Sequence, residues 1–183
     1  VHYQFETAHP FLDGNGRLGR LLITLMLIND GVLHSCLFYP SFQFKKNRSE
    51  YYRQLTSVRE RGTYEEWIEF FCNSLLESAK DSVGSLKNLV DLHNRSTATI
   101  TENLGRTAAN GQRLLGILEE HPIVDTAFIA AQLDIGRSTA SSLVKSFEEL
   151  GILRPLDESR QRYRQYGYEE YLSILREDAE PIR

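Results

Sequence analysis

The stretch from His9 to Leu22, HPFLDGNGRLGRLL, constrains this chain more than any other. Gly14 and Gly16 flank Asn15, and glycine tolerates backbone conformations that turn successive N–H groups into one anion-binding concavity. Leu18, Leu21, Leu22, Leu25 and Ile28 then recur at spacings of three and four. This periodicity predicts a helix that starts near Asn15 or Gly16, buries its leucine face, and ends at Asn29-Asp30-Gly31. Its unpaired N–H groups and positive dipole end would face the same spot as the glycine nest.

Arg17 and Arg20 are three apart, hence neighbours on one helical face. Cations at a helix start oppose the macrodipole, an anomaly that a bound anion would remove. Charge-assisted Arg–phosphate bonds contribute roughly 1.5–3 kcal/mol each, enough to outweigh that penalty. Asp13 stands just before the nest, and a lone carboxylate beside phosphates suits Mg²⁺, which keeps most of its waters. His9 lies four residues upstream, and a neutral imidazole is a suitable general base near pH 7. Anion cradle, charge clamp, metal ligand and base together describe phosphoryl or nucleotidyl transfer. The run is not a Walker loop, because the Lys-Ser/Thr pair and the strand–loop–helix context are both absent.

The chain around this motif has 183 residues, enough for one large or two small domains with a real core. With 41% hydrophobic and 25% charged residues, its composition is that of a globular protein. A net charge of −4 argues against a protein that coats nucleic acid or an anionic membrane. No apolar stretch approaches a membrane span. Cys36 and Cys72 make neither a metal spacing nor a disulfide framework, which fits a reducing, cytoplasmic setting. The sequence opens on Val1 inside a helical pattern, VHYQFETAH, with no signal-peptide features, and reads as a chain with more sequence upstream.

Beyond the motif, CLFYPSFQF reads as an irregular packed connection. Helical patterns follow at 47–60 and 64–80, the second with a core stripe of Trp67, Phe70, Phe71, Leu75 and Leu76. The period continues through Val83, Leu86 and Val90, so a long helix is expected to leave the first domain. RSTATITENLGRTAANG, rich in small polar residues, is expected to be a boundary or kink. Short helices at about 111–120, 125–134 and 137–150 come next, with Gly151 as a C-cap. ILRPL and QRYRQYGY then suggest two strands around a turn at Asp157-Glu158-Ser159. Three helices and a hairpin make a winged helix-turn-helix, followed by a helix at 168–177.

HPFLDGNGRLGR resembles the signature of the Fic (Fic/Doc) family, His-Pro-Phe-x-Asp/Glu-Gly-Asn-Gly-Arg-x-x-Arg, at every defined position. The likeness extends through KNRSEYYRQL and WIEFF to the C-terminal module, as in the bacterial subgroup whose Fic core precedes a winged helix. It implies a mainly α fold: an all-helical core over 1–104 with its connecting helix, then a winged helix-turn-helix over 105–183. It also implies a protein adenylyltransferase that moves AMP from ATP to a Ser, Thr or Tyr hydroxyl of a protein. In that role His9 would take the hydroxyl proton and Asp13 would hold Mg²⁺. Gly14, Asn15 and Gly16 would form the anion hole, and Arg17 and Arg20 would clamp the outer phosphates. Tyr51 and Tyr52 match a tyrosine pair near the nucleoside, although either ring could instead pack in the core.

Many relatives carry an inhibitory Ser/Thr-x-x-x-Glu-Gly/Asn helix. The only Glu followed by Gly or Asn is Glu102, before Asn103, and Ala98 occupies the position that should be Ser or Thr, so no such helix is recognisable in these residues. In the C-terminal module, Arg137, Ser138, Thr139, Ser142 and Lys145 would line a recognition helix, with Arg160, Arg162 and Arg164 alternating on the wing. Glu148 and Glu149 and a net acidic balance weigh against DNA. Protein contact, a homodimer included, or intramolecular support is therefore slightly favoured over specific DNA binding. The alternatives are a DNA-binding regulator whose Fic core only senses nucleotide, and a Fic enzyme that removes AMP or transfers another phosphate-containing group.

Overall fold

A computed structural model describes residues 1–34, 40–157 and 164–177. They form two compact units, Val1–Ser85 and Leu86–Glu177. The first contains α1 (His2–Ala8), α2 (Asn15–Asn29), α3 (Ser41–Lys46), α4 (Arg48–Arg61) and the opening half of α5 (Tyr64–Asn103). Its core gathers Ile23, Phe44, Tyr51, Val58 and Trp67, with Phe70, Phe71 and Leu75 packed against them. The aromatic stripe expected on α5 is thus the wall on which α2, α3 and α4 close. Ser41–Lys46 is helical where an irregular connection was expected, and residues 35–39 of that connection lie outside the described residues.

α2 starts where the spacing placed it, but it buries a different face. Leu18, Leu21 and Leu25 are 42%, 53% and 51% exposed. Gly19, Ile23 and Thr24 are buried instead. The cause is the close approach of α1, whose Phe5 and Glu6 lie where a side chain at position 19 would extend. Only a residue without a Cβ admits that approach, so the glycine face turns inward and the leucine face of α2 is left outward in this unit.

α5 runs unbroken from Tyr64 to Asn103, forty residues. The Ser/Thr-rich stretch expected to break or kink it is regular helix up to Asn103. Its small residues serve packing: the hydroxyls of Ser96 and Tyr168 hydrogen-bond at 2.7 Å, and Ile100 is fully buried. A 3₁₀ turn, Gly105–Thr107, leads into α6 (Ala108–Glu120).

The second unit continues with β1 (Ile123–Asp125), α7 (Thr126–Leu133), α8 (Arg137–Glu149), β2 (Arg154–Pro155), β3 (Gln165–Gly167) and α9 (Glu169–Glu177). Asp125 caps α7 by accepting the Phe128 N–H at 2.7 Å. The three strands form an antiparallel sheet in the order β1-β3-β2, with Val124 opposite Tyr166 and Arg154 opposite Gly167. The sequence reading expected β2 and β3 and missed β1, a strand too short to show a period of two. Leu114, Leu118, Ile129, Leu133 and Phe147 make a core that α6, α7 and α8 share. The turn residues Glu158 and Ser159, and Arg160 and Arg162 of the expected wing, lie outside the described residues.

Candidate functional site

The motif loop joins α1 to α2. α1 ends at Ala8, and His9 closes it in the left-handed region with φ 44° and ψ 54°, its N–H donating to the Phe5 carbonyl at 3.0 Å. Pro10 disfavours the right-handed helical region at His9, so the chain leaves the helix there. The His9 side chain is exposed. Asn15 then folds the loop back. Its Oδ1 accepts the Phe11 N–H at 2.9 Å, and its Nδ2 donates to the Phe11 carbonyl at 2.5 Å. At 1% exposure, Asn15 is the most buried polar residue of the first unit. Its carboxamide is spent on loop shape, leaving its backbone N–H as the group it can offer an anion.

Gly14 is the N-cap of α2 at φ 83°, a conformation that L side chains rarely adopt. The Asp13 carboxylate straddles this turn: Oδ1 accepts the Gly14 N–H at 2.6 Å and Oδ2 accepts from Arg17 at 3.3 Å. Both members of the Asp13–Arg17 pair are exposed, so the pair itself contributes little and can be exchanged for a ligand. The two arginines lie against the two glycines. A Cβ on Gly14 would meet the Arg17 guanidinium at 3.6 Å, and one on Gly16 would meet that of Arg20 at 3.2 Å. The loop thus brings the nest glycines, both cations and the carboxylate to one place. No cluster of three or more His, Cys, Asp or Glu suited to a metal occurs among the described residues. A single exposed carboxylate beside two arginines and a glycine turn still fits Mg²⁺, which takes one or two protein oxygens and fills its other positions with water or ligand oxygens.

The tyrosine pair is divided. Tyr51 is 3% exposed and belongs to the aromatic core, whereas Tyr52 is 51% exposed with the Arg48 guanidinium 5.7 Å above its ring.

Sequence reasoning passed over His2. It is buried between the rings of Phe44 and Trp67, with centroids 6.1 and 6.2 Å away. Nδ1 donates to the Gly19 carbonyl at 2.9 Å, so Nε2 of the neutral ring accepts the Tyr51 hydroxyl at 3.0 Å. Burial pushes the His2 pKa down to about 4 and pushes the Tyr51 hydroxyl up from its ordinary value. The available signal was the i, i+4 spacing of His2 and Glu6, which sets both on one face of α1. A groove of about 390 Å³ in the same unit, lined by Tyr3, Ile23, Leu27 and Trp67 among others, contains no lysine or arginine and no motif residue.

The architecture is mainly helical, and the loop at its start has a counterpart among known proteins. Residues 1–27 match the model of the Fic/DOC family. The protein adenylyltransferase of Caenorhabditis elegans is 31% identical over 91 residues, 50% of this chain and 16% of that protein. A probable protein adenylyltransferase of Aquifex aeolicus is 37% identical over 59 residues, 32% of this chain and 16% of that protein. The protein adenylyltransferase Fic of Drosophila grimshawi is 35% identical over 73 residues, 40% of this chain and 14% of that protein. The chain therefore spans only about a sixth of the length of these transferases.

Proposed function

We propose that this chain carries the catalytic loop of a protein adenylyltransferase, using ATP and Mg²⁺ to place AMP on a protein hydroxyl. The observation that carries this reading is the cradle itself: Gly14 at positive φ heads α2, and the guanidinium groups of Arg17 and Arg20 lie on Gly14 and Gly16. The similarity to protein adenylyltransferases supports it. The N–H groups of Asn15 and Gly16, joined by that of Gly14 once Asp13 releases it, would donate to phosphate oxygens, with Arg17 and Arg20 answering the remaining charge. His9 would take the proton of the incoming Ser, Thr or Tyr hydroxyl as its oxygen bonds to the α-phosphorus and the bond to pyrophosphate breaks. Asp13 would exchange Arg17 for Mg²⁺, which supplies charge neutralisation on the departing pyrophosphate. Tyr52 and Arg48 offer the nucleoside a stacking surface, while Tyr51 holds His2 of α1 from the core.

In the second unit, the order α6-β1-α7-α8-β2-β3 supports a winged helix. Arg137, Ser138, Thr139, Ser142 and Lys145 are exposed on α8. Lys145 is 3.8 Å from Glu149. That neutralised face favours protein contact, a second copy included, over the DNA-binding alternative. No helix among the described residues is long and apolar enough to cross a membrane. A cytoplasmic setting is part of the same proposal.

The test is transfer of label from α-labelled ATP to protein in the presence of Mg²⁺, with the His9→Ala variant as control. Labelling that depends on His9 is expected. Labelling that persists unchanged in the variant overturns the role of His9, and loss of label with free AMP released from a modified target would favour AMP removal.

A further inference from the structure

Two buried polar atoms of the first unit have no hydrogen-bond partner although they belong to oppositely charged residues on adjoining helices: Oε1 of Glu6 on α1 and Nε of Arg20 on α2. α1 and α2 are in direct contact, and the Glu6 carboxyl lies on Gly19, the residue next to Arg20. An orphaned buried donor and an orphaned buried acceptor are each costly, and a hydrogen bond between them would remove both penalties. Arg20 has its Nη1 and Nη2 beside Gly16, on the side of the nest. The guanidinium thus turns one edge toward the cradle and its Nε edge into the protein. Burial raises the Glu6 carboxyl, and the positive charge of Arg20 opposes that shift.

We infer that Glu6 is a positioning residue for Arg20: its carboxylate receives the Arg20 Nε–H and holds both Nη groups toward the outermost phosphate of the nucleotide. This rests on the reading of the motif as an ATP site. Glu6 touches no substrate; it acts through the arginine, as a carboxylate behind a phosphate-binding guanidinium fixes its plane. Gly19 belongs to the same device, because a side chain there would push the carboxylate away.

The experiment compares the intact chain with Glu6→Ala, Arg20→Ala and the double variant. Calorimetry with Mg²⁺ gives the affinity ratio of ATP to ADP, and ¹⁵N NMR observes the Arg20 Nε–H. Glu6→Ala is expected to cut the ATP preference by about tenfold, roughly the loss of one charge-assisted contact. In the Arg20→Ala background it should change the ratio no further. The Nε–H should exchange slowly in the intact chain and rapidly once Glu6 is removed. Should Glu6→Ala not fold, the near-isosteric Glu6→Gln is expected to shift both readouts in the same direction. The inference is overturned if Glu6 variants weaken ATP and ADP alike, if the two substitutions are additive, or if Nε–H exchange is indifferent to Glu6. A chain that binds no nucleotide would sink the adenylyltransferase reading, while the NMR result would still decide the pairing.

Discussion

The side chain of Asn15 pairs with both backbone groups of Phe11, four residues earlier, as a neighbouring strand would. One carboxamide thereby shapes the loop between His9 and the nest. Asn15→Asp keeps the acceptor for the Phe11 N–H but sets a carboxylate oxygen against the Phe11 carbonyl. It is expected to cost about 2–3 kcal/mol or more, because the Phe11 carbonyl loses its donor and a buried carboxylate is set against it. Urea denaturation should show a lower midpoint at unchanged slope. Mg-ATP affinity should fall with it, and a variant of native stability and affinity would refute the pinning role.

Much of the motif was legible in the sequence because its information is local. Gly14, Asn15, Gly16, Arg17 and Arg20 are within one helical turn or two, so spacing alone places them together. The inward face of α2 was not legible. Leucine periodicity reports which face is apolar, not which partner arrives, and the contact between Gly19 and α1 is decided by shape. The division of Tyr51 from Tyr52 likewise depends on His2, forty-nine residues away.

Gly19→Ala tests that contact. The added methyl would fall on the Glu6 carboxylate and come within 3.2 Å of Phe5 Cδ1. Helix propensity favours alanine by about 1 kcal/mol, whereas overpacking costs about 1–3 kcal/mol. Net destabilisation of up to about 2 kcal/mol is expected from these opposing effects, seen as a lower thermal midpoint. A rise in midpoint would mean that Glu6 moves aside freely.

Gly111→Ala probes the second unit by the same contest. Its Cβ would meet Ile100 Cγ2 and Leu104 Cδ1, each at 2.8 Å. Ile100 is fully buried, so its methyl has less room to yield than the half-buried Glu6 carboxylate. The overpacking cost should be nearer 3 kcal/mol than 1 kcal/mol, which leaves a net loss of about 2 kcal/mol once helix propensity is counted. Stability equal to that of the unsubstituted chain would show slack between α5 and α6.

Acid should weaken the first unit through His2. Its pKa of about 4 in the folded chain lies below the ordinary 6.5, so between these values the unfolded chain binds more protons. Stability from this group is therefore full above pH 6.5 and falls progressively toward pH 4, by at most about 3 kcal/mol. Denaturation at pH 7.5, 6 and 5 should show this slope, and His2→Gln should flatten it. A slope that is unchanged in the variant would assign the effect to other groups.

The left-handed backbone at His9 bears on how its imidazole is to be tested. An alanine there keeps a Cβ in a conformation that costs L residues roughly 1–2 kcal/mol, without a polar side chain to offset it. A glycine adopts the same φ and ψ without strain. His9→Ala therefore changes two things at once, the ring and the ease of the turn, while His9→Gly removes the ring and leaves the turn relaxed. Equal loss of transfer in both variants would isolate the imidazole as the cause.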